Sequence, residues 1–124
     1  MVRLRRWEFE QLVLRALDGI PATIMSRMDN VDVVVREWPS PDDLAVAHVS
    51  DPHELLGLYH GIPLTERSDY SMELPDVITI FHRPVEGRCA TKEAVVEEVR
   101  TTVIHEVAHH FGISDQTLED TPYQ

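Results

Sequence analysis

Cysteine, glycine and long apolar runs are all scarce in this chain of 124 residues. The single cysteine, Cys89, excludes a disulfide within the chain, and five glycines with an apolar fraction of 43% favour a globular core over disorder. No stretch approaches the roughly 18 apolar residues of a membrane span, so no membrane association is expected. Basic residues number 11 against 22 acidic ones, and the formal charge of -11 argues against nucleic acid as a partner.

The first residues of the chain are basic and look like the start of a secretory signal. Glu8, Glu10 and Arg15 interrupt any apolar core of such a signal, so secretion is not expected. Because a single cysteine also fits a reducing compartment, we expect a cytoplasmic protein.

Hydrophobic periodicity predicts one domain over residues 1–124 with a small α+β fold. The predicted elements are a helix over Trp7–Ile20, a helical turn over Ala22–Met28, strands over Val31–Glu37, Leu55–Gly61 and Val77–His82, and a helix from a Thr91 N-cap to about Phe111. Ser40–Asp43 fits a turn or a helix start, and Leu44–Val49 is ambiguous. Pro84–Ala90 is interpreted as the connection to the last helix.

The most specific feature is a cluster of polar residues at the end of that last helix. His105 and His109 are four positions apart, so both rings lie on one side of a helix and can bind one zinc ion. Glu106 can reach a water on the metal without occupying it. Gly112 can end the helix with a positive φ, and Asp115 can then return as a third ligand. Three protein ligands with one open position are typical of a catalytic zinc site.

Other residues near this motif leave alternatives open. Glu119 rivals Asp115 as the third ligand, and Asp115 can instead cap a following turn. His110 lies about 100° around the helix from His109 and is interpreted as a packed or hydrogen-bonded neighbour. Cys89 is either a reactive thiolate, able to fill the open metal position, or an inert small residue. The remaining histidines considered, His48, His53 and His82, are interpreted as structural.

The chain resembles the small, single-domain zincin-like metallopeptidases of bacteria. The resemblance rests on residues 9–13, 30–31, 55–59, 61–65, 74–80 and above all 102–115. It implies a minimal zincin fold, in which a small mixed sheet lies beside a backing helix and the active-site helix. It also implies His105, His109 and Asp115 as zinc ligands and Glu106 as the catalytic carboxylate. The pattern ending in Asp is similar to that of snapalysin-type secreted proteases. Residues 116–124 contain no methionine, which argues against a metzincin.

The expected activity is zinc-assisted hydrolysis of a peptide or protein substrate, with Glu106 as general base and then acid. In zincins the substrate usually pairs with an edge strand, and Leu55–His60 is the candidate edge. Tyr59 or His60 then stabilises the oxyanion, lines the cleft, or is an ordinary strand residue.

Two alternatives to a peptidase remain open. A zinc-dependent endoribonuclease of similar fold carries glycine after its first histidine and histidine as third ligand, where this chain has Glu106 and Asp115. A non-catalytic zinc-binding interaction module fits the small size, but a purely structural zinc needs no adjacent carboxylate.

Overall fold

The structure is a computed structural model that describes residues 1–61 and 75–112. In this part of the chain the helices are α1 (Arg6–Asp18), α2 (Ala22–Met25), α3 (Pro41–Ala47), α4 (His82–Gly87) and α5 (Lys92–Phe111), and the strands are β1 (Val31–Arg36), β2 (Gly57–His60) and β3 (Asp76–Phe81). A single 3₁₀ turn covers Pro52–Glu54. The α+β fold class predicted from the sequence is confirmed.

The three strands form a mixed sheet in the order β1-β3-β2. β1 runs parallel to β3, with Val31 opposite Asp76 and Arg36 opposite Phe81. β2 runs antiparallel to β3, with Gly57 opposite Ile80. β3 lies in the centre because its apolar, β-branched residues are suited to burial on both faces. β2 is therefore an edge strand of the described sheet, as predicted.

One face of the sheet packs against α1 and α5, and this layer holds the main core. Ile78 and Ile80 of β3 are fully buried there, together with Phe9 of α1 and Val99 of α5. Arg100 of α5 ties the two helices together, because its guanidinium donates to carbonyl groups at the C-terminal end of α1. The backing helix and the last helix thus lie side by side on the sheet, as the resemblance implied.

The opposite face of the sheet is covered in part by α3. Its Leu44 and Ala47 pack on a smaller cluster that contains Leu58 and Phe81. The ambiguous segment Leu44–Val49 is helical as far as Ala47, and Ser40–Asp43 is the start of this helix. The start is a capping box: the Ser40 hydroxyl accepts from the Asp43 N–H at 3.0 Å, and the Asp43 carboxylate accepts from the Ser40 N–H at 2.9 Å.

The predicted end of the third strand at His82 is wrong by one residue, and a helix was not predicted between this strand and the last helix. β3 ends at Phe81 and α4 begins at once with His82. Pro84 is compatible with this helix because it lies in the first turn, where a backbone N–H has no helical acceptor. The early start of α4 places His82 and Glu86 one turn apart in the core.

Candidate active site

The helix that carries the motif, α5, begins and ends where the sequence predicted. The Thr91 hydroxyl caps it by accepting from the Ala94 N–H at 3.0 Å. Gly112 ends it with φ 63° and ψ 33°, a left-handed conformation that glycine adopts without steric cost. An apolar stripe of the helix packs in the main core, and its residues are Val95, Val96, Val99, Val103, Ile104, Val107 and Ala108.

His105, Glu106 and His109 lie on the C-terminal half of α5, beside that stripe. His105 and Glu106 are half-buried, and His109 is exposed. The two histidines are separated by about 6 Å along the helix axis, which places both rings on the same side. Neither ring makes a hydrogen bond or an ion pair with any residue of 1–61 or 75–112. Both rings therefore have nitrogen lone pairs that no described residue uses.

The Glu106 carboxylate is held by the neighbouring edge strand. Its Oε1 atom accepts a hydrogen bond from the backbone N–H of Tyr59 at 3.1 Å. Burial raises the pKa of Glu106 above its ordinary value, and the Tyr59 amide, His109 and His105 only partly oppose this effect. A carboxylate with a raised pKa accepts a proton more readily than an exposed one, which suits a general base.

The Tyr59 side chain joins the edge strand to the end of α5. Its hydroxyl donates to Asp76 Oδ2 at 2.8 Å, and its ring stacks on the His110 ring with centroids 3.8 Å apart. His110 Nε2 lies 3.9 Å from the same Asp76 oxygen. His110 is thus a packed neighbour, as predicted.

His60, one residue further along β2, lies on the opposite face of the sheet from Tyr59. Its Nε2 atom is 3.6 Å from Asp43 Oδ1 of α3, and it borders a surface cavity of about 480 Å³ with Val34 and Trp38. Successive strand residues point to opposite faces, so only one of the two can face α5. The suggestion that His60 acts beside the motif is therefore wrong.

The predicted third ligand, Asp115, and its rival, Glu119, lie outside the described residues. Within residues 1–61 and 75–112, no three His, Cys, Asp or Glu side chains are grouped to hold a metal ion. Two imidazoles one helical turn apart, neither bonded to a described residue, nevertheless fit the donor chemistry of zinc, which binds neutral histidine nitrogen.

Cys89 is remote from this end of α5. It precedes α5, whose first residue, Lys92, lies about 20 Å from His105 along the helix axis. The thiol is only 4% exposed, and burial, followed by the nearby Glu98, raises its pKa. Both facts favour the inert interpretation of Cys89.

Two of the three histidines interpreted as structural, His53 and His82, have local partners. His48 ends α3 in a left-handed conformation with φ 58°. His53 contacts the Asp51 carboxylate at 2.9 Å, and the buried His82 ring contacts Glu86 at 3.1 Å. These contacts account for their positions.

Sequence reasoning missed the roles of the Tyr59 amide and of Asp76. A backbone amide carries no side-chain signal, and Asp76 merely precedes a strong strand in the sequence. The glycines around Tyr59 were the available signal. A glycine in a strand often marks a bulge or the close approach of another element, and the β2–β3 register is continuous from Gly57 to His60.

Comparison with known proteins gives a consistent result for the family. No helix in the described part of the chain is both long and apolar enough to cross a membrane. No curated protein sequence matches the chain. A profile of the zincin-like metallopeptidases matches residues 28–123, which include all three strands of the described sheet and all of α5. The chain therefore belongs to the zincin-like metallopeptidase family.

Proposed function

We propose that this protein is a zinc-dependent peptidase whose working groups are His105, His109, Asp115 and Glu106. The observation that carries the proposal is the half-buried Glu106 carboxylate, which lies on the same helix as two histidines with no bonded partner among the described residues. Membership of the family supports a hydrolase of this type.

His105 and His109 would hold the zinc ion through neutral ring nitrogens, with Asp115 as the third ligand from the segment after Gly112. The spacing in the sequence supports this ligand set. When bound, zinc supplies Lewis acidity, which lowers the pKa of water and polarises a peptide carbonyl.

Glu106 would perform the proton transfers of hydrolysis. It accepts a proton from the attacking water as the hydroxyl joins the carbonyl carbon. When the carbon–nitrogen bond breaks, Glu106 returns that proton to the leaving nitrogen. The raised pKa of the Glu106 carboxyl lies closer to neutral pH than that of an exposed carboxyl, and this supports both proton transfers.

The substrate would be an extended peptide or a protein segment that approaches the side of α5 bearing the motif. The exposure of His109 at this end of the helix supports access from solvent. A reducing compartment such as the cytoplasm fits the single, buried cysteine.

The test compares Glu106→Gln with the parent protein in zinc content and in hydrolysis of a broad peptide library. The matched control is Glu97→Gln on the same helix, whose carboxylate is 57% exposed and pairs with Arg100. We expect Glu106→Gln to keep its zinc and to lose peptide hydrolysis by roughly 10²–10⁴-fold, whereas Glu97→Gln retains it.

Two results would contradict the proposal. Stoichiometric zinc in the parent without turnover of any peptide would favour a non-catalytic zinc-binding module. Metal-dependent cleavage of RNA, with peptides left intact, would favour the endoribonuclease.

A further inference from the structure

The edge strand β2 and the helix α5 lie side by side with matched spacing. Besides the Tyr59–His110 stack, three neighbouring pairs recur at regular spacing: Gly57 lies beside Thr102, the Tyr59 N–H donates to Glu106, and Gly61, the residue after β2, lies beside His110. The partners are two residues apart on the strand and four apart on the helix. Two strand residues span about 6.6 Å and four helix residues about 6 Å, so the two rows stay aligned.

The two glycines are the points of closest approach. A Cβ atom at Gly57 would lie 2.7 Å from Thr102 Cγ2 and 3.1 Å from the Thr79 carbonyl oxygen. A Cβ atom at Gly61 would lie 3.0 Å from His110 Cε1. Both distances to α5 are shorter than a normal carbon–carbon contact. A side chain at Gly57 would therefore have to displace Thr102 or the helix that carries it, whereas at Gly61 the partly exposed His110 ring would have to give way.

The Tyr59 amide points away from the sheet, toward α5. The Phe81 N–H of β3 donates to the Leu56 carbonyl at 2.9 Å, so Leu56 bonds inward to β3. Backbone polar groups alternate sides along a strand, and the N–H of Tyr59, three residues later, therefore points outward. An outward amide on an edge strand needs a partner, and Glu106 Oε1 supplies it at 3.1 Å.

The Tyr59 side chain fixes the same part of the strand a second time. Its hydroxyl is bonded to Asp76 and its ring is stacked on His110, so the residue is held from β3 and from α5. Glu106 Oε2, in contrast, makes no hydrogen bond with the described residues.

We propose that Tyr59 is a positioning residue and that the flanking Gly57 and Gly61 set its distance to the helix, so that its amide orients the Glu106 carboxylate. Oε1 of Glu106 is fixed by the strand, and Oε2 can then accept the proton of the attacking water. This inference rests on the proposed peptidase function, in which Glu106 is the catalytic base.

The first test does not depend on activity or on metal. Amide hydrogen exchange is measured residue by residue in the metal-free parent and in Glu106→Ala. We expect the Tyr59 amide to be protected in the parent and to exchange roughly tenfold faster in the variant, as expected for loss of one hydrogen bond. The Leu58 and His60 amides, which face β3, serve as internal controls and keep their protection. Equal exchange of Tyr59 in both proteins would overturn the proposal.

The second test measures kinetics of the zinc-loaded protein. Gly57→Ala should lower kcat by up to about 100-fold, the cost of an ångström-scale misplacement, with KM and zinc affinity nearly unchanged. Thr102→Ser removes the opposing Cγ2 atom but keeps the hydroxyl that donates to the Glu98 carbonyl. The double variant should therefore recover much of the lost kcat. Gly87→Ala is the control, because a Cβ atom there meets nothing within 4 Å.

The outcomes separate this inference from the proposed function. A folded Gly57→Ala with the kcat of the parent, or a double variant without recovery, would overturn the positioning role while the peptidase stands. If the parent hydrolyses no peptide, the proposed function fails, and the exchange of the Tyr59 amide still decides whether the strand orients Glu106.

Discussion

Histidine and glutamate occur together on two helices of this protein, and their surroundings differ. On α4, the Glu86 carboxylate accepts from the Leu4 N–H at 2.7 Å, contacts the His82 ring at 3.1 Å and pairs with Arg83 at 3.0 Å. His82 also stacks on Phe9, and the His82 and Glu86 side chains are almost completely buried. The Glu86 carboxylate and the His82 ring thus both have partners within the chain.

On α5, the same residue types are less buried and less occupied. Glu106 has a single hydrogen bond to the described residues, from the Tyr59 amide, and the rings of His105 and His109 have none. The difference shows that residue type alone does not indicate function. Groups that satisfy one another stabilise the fold, and groups held in place with unused lone pairs are available to a ligand.

Truncating the buried carboxylate should have the largest effect. Glu86→Ala should lower the free energy of unfolding by about 2–4 kcal/mol, because it leaves the Leu4 amide and the buried His82 ring without their acceptor. Glu106→Ala should cost only about 1 kcal/mol, the loss of one hydrogen bond. Urea unfolding of both metal-free variants measures the difference. An equal loss of unfolding free energy in the two variants would contradict the claim that Glu86 stabilises the fold more than Glu106 does.

Loss of a predicted zinc ligand should have the next largest effect. His109→Ala should weaken zinc binding by more than about 100-fold, which exceeds the usual loss for an outer partner of a ligand. His110→Ala changes the next residue of α5, which stacks on Tyr59, and should leave zinc affinity close to that of the parent. Competition with a chromogenic chelator gives both affinities. Comparable losses in the two variants would show that the predicted ligand spacing is wrong.

Acid should destabilise the protein through the buried cluster. Burial, followed by the charge of Arg83, lowers the pKa of His82 below 6.5, so below pH 6.5 the unfolded chain binds a proton that the folded chain does not. Burial alone would raise the pKa of Glu86, but the Leu4 amide, Arg83 and His82 together hold it below 4.5. Its stabilising effect is therefore present above pH 4.5 and is lost as the pH falls further.

Each of these two groups should contribute at most about 1.4 kcal/mol per pH unit within its own window. Urea unfolding of the metal-free protein between pH 4 and pH 7.5 measures the slope. His82→Gln should flatten the curve below pH 6.5. An unchanged slope in this variant would assign the acid sensitivity to other groups.

We expect the smallest difference in stability between alanine substitutions of the glycines at the ends of α4 and α5. Gly112 ends α5 with a positive φ, so Gly112→Ala should cost about 1 kcal/mol of stability. Gly87, the last residue of α4, has no positive φ and open space around its Cα, so Gly87→Ala should be nearly neutral. Thermal unfolding of both variants gives the comparison, and similar midpoints would argue against the left-handed end of α5.

Much of the secondary structure could be predicted from local pattern. The helix after Arg5, the central strand and the capped ends of α5 all follow from periodicity, N-cap chemistry and glycine. α4 was missed because Pro84 is typical of irregular segments, and only its place in the first turn makes it compatible with a helix. α3 is short, and its apolar residues become informative only when they are packed on β2 and β3.

The sequence by itself determined that His105 and His109 lie on one side of α5, because a helix places residues four apart on one side whatever surrounds it. It also determined the end of that helix at Gly112, through the φ that glycine permits. Only the tertiary structure decided that the Tyr59 amide holds Glu106, since this contact joins residues 47 apart in the chain. It likewise decided that His82 and Glu86 are internal, because burial depends on packing against distant residues such as Leu4 and Phe9. Contacts between neighbours along the chain are encoded locally, whereas contacts between elements exist only once the sheet and the helices have packed.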